Sequence, residues 1–237
     1  MSESRRLWAI VPAGGIGRRM GRNLPKQYLP LAGKPMLTHT CGVLLAHASV
    51  TRLVLVVAPD DVHWRETVSE LGEDRILLVA GGEERAHSVR NGLALIRDQA
   101  AADDWVLVHD AARPCLRHRD LDALLEAVEN DSVGGLLGVP VRDTMKRTDG
   151  EARVTETVDR TGLWHALTPQ IFRFGLLCEA LDSALEAGVA VTDEASAVER
   201  LGYRPLMVEG SASNIKVTHP EDLALAEWYL TQRGDSP

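Results

Sequence analysis

Short apolar runs alternating with stretches of helical period constrain this chain more than anything else in it. Residues 7–11, 52–58, 75–80, 105–109 and 134–139 each have the length and aliphatic content of a buried strand. Between them, apolar residues fall on single helical faces: Met36, Leu37, Val43, Leu44 and Leu45 with Pro35 in the first turn, then Val62, Val68 and Leu71 after a Pro59-Asp60-Asp61 cap, then Val89, Leu93 and Ile96 in a helix over 89–100 that follows a loop at 81–88, and a further helix over 120–129. A strand can gain a parallel neighbour only through a crossover, so this alternation implies βαβ units. Ligands bind such sheets beyond the carboxyl ends of the strands. The glycines after Val11, the Gly81-Gly82 pair, Asp110 and Arg113 all follow strand ends. Residues far apart in sequence therefore converge on one edge.

The first of these strand ends is the richest in chemistry. Residues 12–26 read Pro-Ala-Gly-Gly-Ile-Gly-Arg-Arg-Met-Gly-Arg-Asn-Leu-Pro-Lys. Gly14, Gly15 and Gly17 let a backbone approach a ligand closely, and Arg18, Arg19, Arg22 and Lys26 follow within nine residues. Exposed N–H groups followed by cations suit a polyphosphate. The stretch is not a dinucleotide fingerprint, because Met20 stands where its third glycine belongs. It is not a phosphate loop of the Gly-Lys-Ser/Thr kind either, because Gly33-Lys34 is followed by Pro35. The competing reading is an ordinary strand-to-helix turn with a solvated basic face. Charge helps to decide. The formal net charge is −8, with 26 Lys and Arg against 34 Asp and Glu, which argues against a general nucleic-acid binder. Cations gathered in one place on an acidic chain point to a small anionic ligand.

After 140 the pattern changes. Residues 141–148 and 152–159 alternate across Asp149-Gly150, a strong hairpin signal. A lone hairpin is marginal in water, so it lies either on a second subunit or back on its own domain. Beyond it come a return to the core at 163–172, a helix at 176–187, a capped helix opened by Thr192-Asp193-Glu194, a strand at 205–209 and a last helix at 221–230. No repeat or linker interrupts the chain, so one domain is expected over 1–237, with 141–160 inserted as an arm. Cys41, Cys115 and Cys178 are scattered and lack metal-ligand spacing, which suits reduced thiols in a cytoplasmic protein. No apolar run approaches the ~20 residues of a membrane span, and the first residues lack the apolar region of a signal peptide.

Taken together these segments resemble the 2-C-methyl-D-erythritol 4-phosphate cytidylyltransferase family over nearly the whole chain. The likeness is carried by Pro12 through Met20, Pro25-Lys-Gln-Tyr28, Gly81-Gly82 with Arg85 and Ser88, and Val108-His-Asp-Ala-Ala-Arg-Pro114. It continues through Pro140-Val-Arg-Asp-Thr-Met-Lys146, Val158-Asp-Arg160, Leu167-Thr-Pro-Gln170, Thr192-Asp-Glu-Ala-Ser196 and Asn214-Ile-Lys-Val-Thr218. Two departures stand out: Gly14 where alanine is expected, and Glu83 where aspartate is frequent.

The resemblance implies an α/β fold, a single Rossmann-like domain with a mostly parallel sheet and an inserted β-hairpin arm. It implies attack by the phosphate of methylerythritol phosphate on the α-phosphorus of CTP, with pyrophosphate leaving. A phosphate monoester is already anionic and needs no general base, so the absence of a nucleophile triad is no objection. Arg19 and Lys26 match the positions that stabilise the α-phosphate, and Arg160 and Lys216 those that hold the attacking phosphate. Ala13, Gly14, Gly15 and Gly17 are expected to bind nucleotide through the backbone, and Gly82, Glu83 and Ser88 to read the base. Asp110 is expected on the ribose or on the metal side of the triphosphate, its bland alternative being a capping carboxylate. Arg113, Thr144 and Thr192 complete the second-substrate set with Arg160 and Lys216. Mg²⁺ is the implied cofactor. A two-fold homodimer, with Thr144 and Arg160 acting across it, is the implied assembly. The rival readings are the same chemistry on ribitol 5-phosphate and a catalytically silent nucleotide-binding module.

Overall fold

The computed structural model of the protein describes residues 5–15 and 24–232. A seven-stranded sheet is built from β1 (Leu7–Pro12), β4 (Val50–Val57), β5 (Ile76–Ala80), β6 (Trp105–Val108), β7 (Gly134–Pro140), β10 (Trp164–Arg173) and β11 (Leu206–Glu209). Its strands run in the order β11-β7-β10-β6-β1-β4-β5. β1 pairs in parallel with β4 and β6, β4 with β5, and β7 with β11. Only β10 is antiparallel, lying between β6 and β7. The fold is therefore α/β with a mostly parallel sheet, as expected.

The central strand shows why. Leu7, Ala9 and Val11 enter one core layer with Leu53, Leu55 and Leu107, while Trp8 and Ile10 enter the other with Val54, Val56 and Val106. A strand covered on both faces must be apolar at every position. Helices α1 (Met36–Leu45), α2 (Trp64–Leu71) and α4 (His118–Val128) cover the first layer through Leu37, Val68 and Leu121. Helices α3 (Arg85–Leu95), α5 (Phe174–Glu186) and α6 (Glu194–Arg200) cover the second through Val89, Leu177 and Val198. Each such fully buried aliphatic side chain contributes about 1.5–3 kcal/mol. Helix α7 (Pro220–Thr231) closes the chain over a third cluster around Met36 and Val217.

Three boundaries differ from the sequence pattern. Pro35 precedes α1 instead of sitting in its first turn, because Pro30–Leu31 (β2) and Lys34–Pro35 (β3) form a small hairpin around Ala32 and Gly33, both at positive φ. Helix α2 starts at Trp64, leaving Val62 59% exposed. Asp61 does not cap it, being engaged by the Tyr28 hydroxyl at 2.7 Å and by the His63 N–H at 2.8 Å. Helix α3 starts at Arg85, four residues before the expected Val89. There the Ser88 hydroxyl, on the first turn of the helix, accepts the Gly82 N–H at 3.2 Å, and the Ser88 N–H bonds back to the Glu84 carbonyl at 3.0 Å.

The predicted hairpin exists as β8 (Met145–Thr148) and β9 (Val154–Val158), a two-stranded sheet of its own. Every residue from 142 to 157 is exposed.

Candidate active site

At the carboxyl ends of β1, β5 and β6 lies a cleft of about 230 Å³. One wall is backbone. Ala13 continues the parallel ladder, its N–H donating to the Val56 carbonyl at 2.7 Å, and its own carbonyl accepts the Gln27 amide at 2.5 Å. Gly14 and Gly15 follow with their backbone toward the cleft. A Cβ built on Gly14 would meet Ala58 at 3.6 Å, an ordinary contact, so the alanine expected there would fit. Gly82 is different: a Cβ would fall 2.4 Å from the His87 Cβ, so this turn requires glycine.

The opposite wall is charged and centres on Asp110, 8% exposed at the end of β6. Its Oδ1 accepts Arg85 Nε at 3.0 Å and its Oδ2 accepts Lys216 Nζ at 2.8 Å. Arg113 Nε stands 3.9 Å from Oδ2. Burial alone would raise the Asp110 pKa, but Arg85, Lys216 and Arg113 outweigh it and hold the carboxyl well below the usual range. Arg85 in turn sets Nη1 and Nη2 on the two oxygens of Glu194 at 2.6 and 2.9 Å. Burial pushes the Glu194 carboxyl up, and the Arg85 fork opposes that rise. Burial likewise works against the charge of Arg85, yet the two carboxylates raise its pKa above the ordinary value. Lys26 reaches the same cleft from the first loop and donates to the Val217 carbonyl at 3.4 Å.

Beneath Asp110 lies a buried polar relay. Its N–H donates to the Thr168 hydroxyl at 3.0 Å, and that oxygen lies 3.0 Å from His109 Nδ1. His109 Nε2 is 3.0 Å from the Arg113 carbonyl. A carbonyl only accepts, so Nε2 carries the proton, Nδ1 accepts, and the Thr168 hydroxyl donates to it. Burial pushes the His109 pKa down to about 4, which keeps this tautomer neutral. The Asn214 amide donates to the Thr168 carbonyl at 2.7 Å, and Arg113 Nη1 donates to the Asn214 carbonyl at 2.7 Å. Strand β10 is thereby tied to the loop that carries Asp110 and to the segment that carries Lys216.

Of the residues singled out in the sequence, Ala13, Gly14, Gly15, Lys26, Gly82, Glu83, Ser88, Asp110 and Lys216 line one cleft, with Arg113 beside them. Thr192 is exposed on the turn before α6, where Asp193 caps the helix by accepting the Ser196 N–H at 2.9 Å. Thr144 and Arg160 are exposed on the arm, outside the lining of the cleft, and Arg160 donates to the Arg142 carbonyl at the arm's base. Gly17 and Arg19 lie outside the described residues. The sequence reading took Glu194, with Thr192 and Asp193, as the opening of a capped helix, and used Thr168, His109 and Arg85 only as marks of likeness. Glu194 looked like a first-turn acid, and only tertiary burial sets it apart.

A family model described as IspD, 2-C-methyl-D-erythritol 4-phosphate cytidylyltransferase, matches residues 7–232. The protein of that name from Vibrio vulnificus (strain YJ016) is 52% identical over 229 residues, covering 97% of this chain and 96% of its own length. The Aeromonas hydrophila protein of the same name is 54% identical over 227 residues, covering 96% of this chain and 90% of its own. A crystal structure of a 4-diphosphocytidyl-2C-methyl-D-erythritol synthase superposes with a TM-score of 0.83 at 40% identity, covering 96% of this chain and all of that one (100%). The Francisella tularensis cytidylyltransferase superposes with a TM-score of 0.82 at 36% identity, covering 94% of this chain and 99% of that chain.

Proposed function

The chain belongs to the 2-C-methyl-D-erythritol 4-phosphate cytidylyltransferase family, and from that premise we infer its reaction. It is a nucleotidyltransferase that joins CTP and 2-C-methyl-D-erythritol 4-phosphate. The products are 4-diphosphocytidyl-2-C-methyl-D-erythritol and pyrophosphate, in isoprenoid precursor biosynthesis. The observation that carries this reading is the cleft itself: glycine backbone on one side, an ionised Asp110 held by Lys216 on the other, and Lys26 reaching in from the first loop.

The chemistry follows from charge. A substrate phosphate oxygen attacks the α-phosphorus, a new P–O bond forms, the bond to the β-phosphate breaks, and pyrophosphate carries away the electron pair. No proton need be abstracted. Two like unit charges brought to 4 Å repel by about 4 kcal/mol at an effective dielectric of 20, so fixed cations and alignment do most of the catalysis. In this reading Lys26, with Arg19, stabilises the α-phosphate, while Lys216, with Arg160, holds the attacking phosphate. Ala13, Gly14, Gly15 and Gly17 hold the triphosphate through backbone groups, and Gly82, Glu83 and Ser88 read the base. Arg113, Thr144 and Thr192 orient the polyol.

Mg²⁺ belongs to the same proposal. The donor chemistry fits: Asp110 is an anionic oxygen donor lining the cleft, each of its oxygens keeps a lone pair beyond the one engaged by Arg85 or Lys216, and Mg²⁺ typically binds through one or two carboxylates plus substrate phosphates. Bound with Asp110, it would supply charge neutralisation on the triphosphate. We also propose a homodimer through the 141–160 arm. Met145 and Val154 are exposed on a hairpin that the main sheet does not pair, and a two-fold axis would carry Thr144 and Arg160 to the partner's cleft. Among the described residues no helix is long and apolar enough to cross a membrane. A cytoplasmic location is proposed, supported by Cys41, Cys115 and Cys178 being reduced, none of them in a disulfide. The acidic net charge supports the absence of a nucleic-acid partner.

The test is pyrophosphate release by purified protein with Mg²⁺, CTP and a panel of polyol phosphates. Turnover with methylerythritol phosphate is expected. The family match disfavours ribitol 5-phosphate, and turnover with ribitol 5-phosphate alone would reverse the substrate assignment. Silence with every acceptor would leave only a nucleotide-binding module.

A further inference from the structure

We propose that Arg85 and Glu194 form a positioning pair: Glu194 occupies the Arg85 fork so that one Asp110 oxygen stays available to orient Lys216. The inference rests on the reading above, in which Lys216 holds the attacking phosphate.

Three distant parts of the chain meet here. Arg85 opens α3 after the base-side turn, Asp110 follows β6, and Glu194 opens α6 beside Thr192. Arg85 therefore bridges the nucleotide side and the acceptor side of the cleft. All three of its guanidinium nitrogens already have carboxylate partners: Nη1 and Nη2 on Glu194, and Nε on Asp110 Oδ1. With three of its five N–H groups committed to carboxylates, one from each nitrogen, Arg85 is suited to orient its neighbours more than to grip substrate. The Glu194 side chain is only 1% exposed, and among the described residues both its oxygens are bonded by Arg85, so its hydrogen-bonded connection to Asp110 runs through that guanidinium.

The consequence is a division of Asp110. Arg85 takes one oxygen through a single nitrogen, and Lys216 takes the other at 2.8 Å. A guanidinium released from Glu194 would turn its planar fork onto both Asp110 oxygens, the geometry that Arg and carboxylate favour. Lys216 would then lose its fixed partner; losing Arg85 itself would free Oδ1 and let the Asp110 carboxylate turn away from Lys216, with the same outcome. Stability alone does not account for the arrangement, because a buried ion pair replaced by well-packed apolar residues is often neutral or better.

That last point supplies the test. Glu194→Gln keeps the shape and removes the charge. The double variant Arg85→Met/Glu194→Met replaces the pair with apolar bulk. Thermal midpoints and separate KM and kcat values for CTP and methylerythritol phosphate are measured for both, well below the midpoint. A positioning role predicts folded variants whose kcat/KM for the polyol phosphate falls ~10-fold or more, as expected when a reacting group is displaced by about an ångström. The KM for CTP should stay within about twofold, since the nucleotide backbone contacts are untouched. A merely structural pair would lower the midpoint and leave both constants at wild-type values, and that result overturns the proposal. Should the double variant fail to fold, Arg85→Lys, which keeps the charge but cannot bridge both carboxylates, takes its place: wild-type constants there also overturn it. Wild-type turnover is the separating control. Absent turnover by the wild type would sink the assigned reaction, and the pair's role with it, whereas wild-type turnover with unaffected variants would sink the pair alone.

Discussion

His109 makes the folded protein sensitive to acid by a calculable amount. Its ring is fully buried between the Thr168 hydroxyl and the Arg113 carbonyl. Burial pushes its pKa from an ordinary 6.5 down to about 4, while hydrogen bonding to the Arg113 carbonyl only partly opposes this. Between those two values the unfolded chain binds a proton at this position and the folded chain does not. Unfolding therefore takes up a proton, and stability falls as pH falls. The linkage relation gives a loss of about 2 kcal/mol at pH 5 and about 3 kcal/mol at pH 4, relative to pH 7.5. That is a large part of the 5–15 kcal/mol typical of a folded domain. Protonation would also turn Nδ1 into a donor facing the Thr168 hydroxyl and disturb the relay under Asp110. The assay is urea denaturation at pH 7.5, 5 and 4 for the wild type and for His109→Gln, which can still donate to the Arg113 carbonyl. Other groups titrate in both proteins, so the informative quantity is the stability difference between them. The wild type's advantage should shrink by about 2 kcal/mol at pH 5 and about 3 kcal/mol at pH 4. A difference that stays constant with pH would falsify the linkage argument.

Other expectations follow from the site. Lys26→Ala should keep the fold and lose on the order of 10²–10³ in kcat, the usual cost of removing a preorganised charge or donor; an unchanged kcat would remove Lys26 from the α-phosphate. Mixing inactive Lys26→Ala and Arg160→Ala proteins should restore about a quarter of wild-type activity, because random pairing of a two-fold dimer rebuilds one site in each hybrid. Subunit exchange without recovered activity would mean that Arg160 does not act across the dimer. Gly82→Ala should cost about 1–3 kcal/mol through overpacking against His87, together with a raised KM for CTP. Gly14→Ala, with 3.6 Å to its nearest neighbour, should leave both constants within about twofold of wild type. Equal kinetics for the two glycine variants would count against the steric argument.

What the sequence discloses about this fold divides by the range of the forces involved. The strands β1, β4, β5, β6 and β7 are legible because burial on both faces demands an apolar run, a local property. The Asp193 cap of α6 is legible for the same reason: its partner is three residues away. Strand direction is not local. Nothing within residues 164–173 states that β10 runs against β6 and β7, since that follows from the arm, which reverses the chain before returning it. The start of α3 at Arg85 is not legible locally, since its turn is closed by a hydroxyl six residues from its glycine, in a stretch whose composition suggests a loop. Glu194 is the sharpest case. Beside Asp193 it reads as an acid complementing a helix amino end, a role in which it would be solvated. Its actual partner is 109 residues away in sequence. A carboxylate is buried there only because a guanidinium from another crossover arrives at the same sheet edge. The parallel topology that was legible predicts that such meetings occur at this edge, though not which residues meet. For that reason the glycines and cations next to strand ends could be named from the sequence, while the groups holding them in place required the fold.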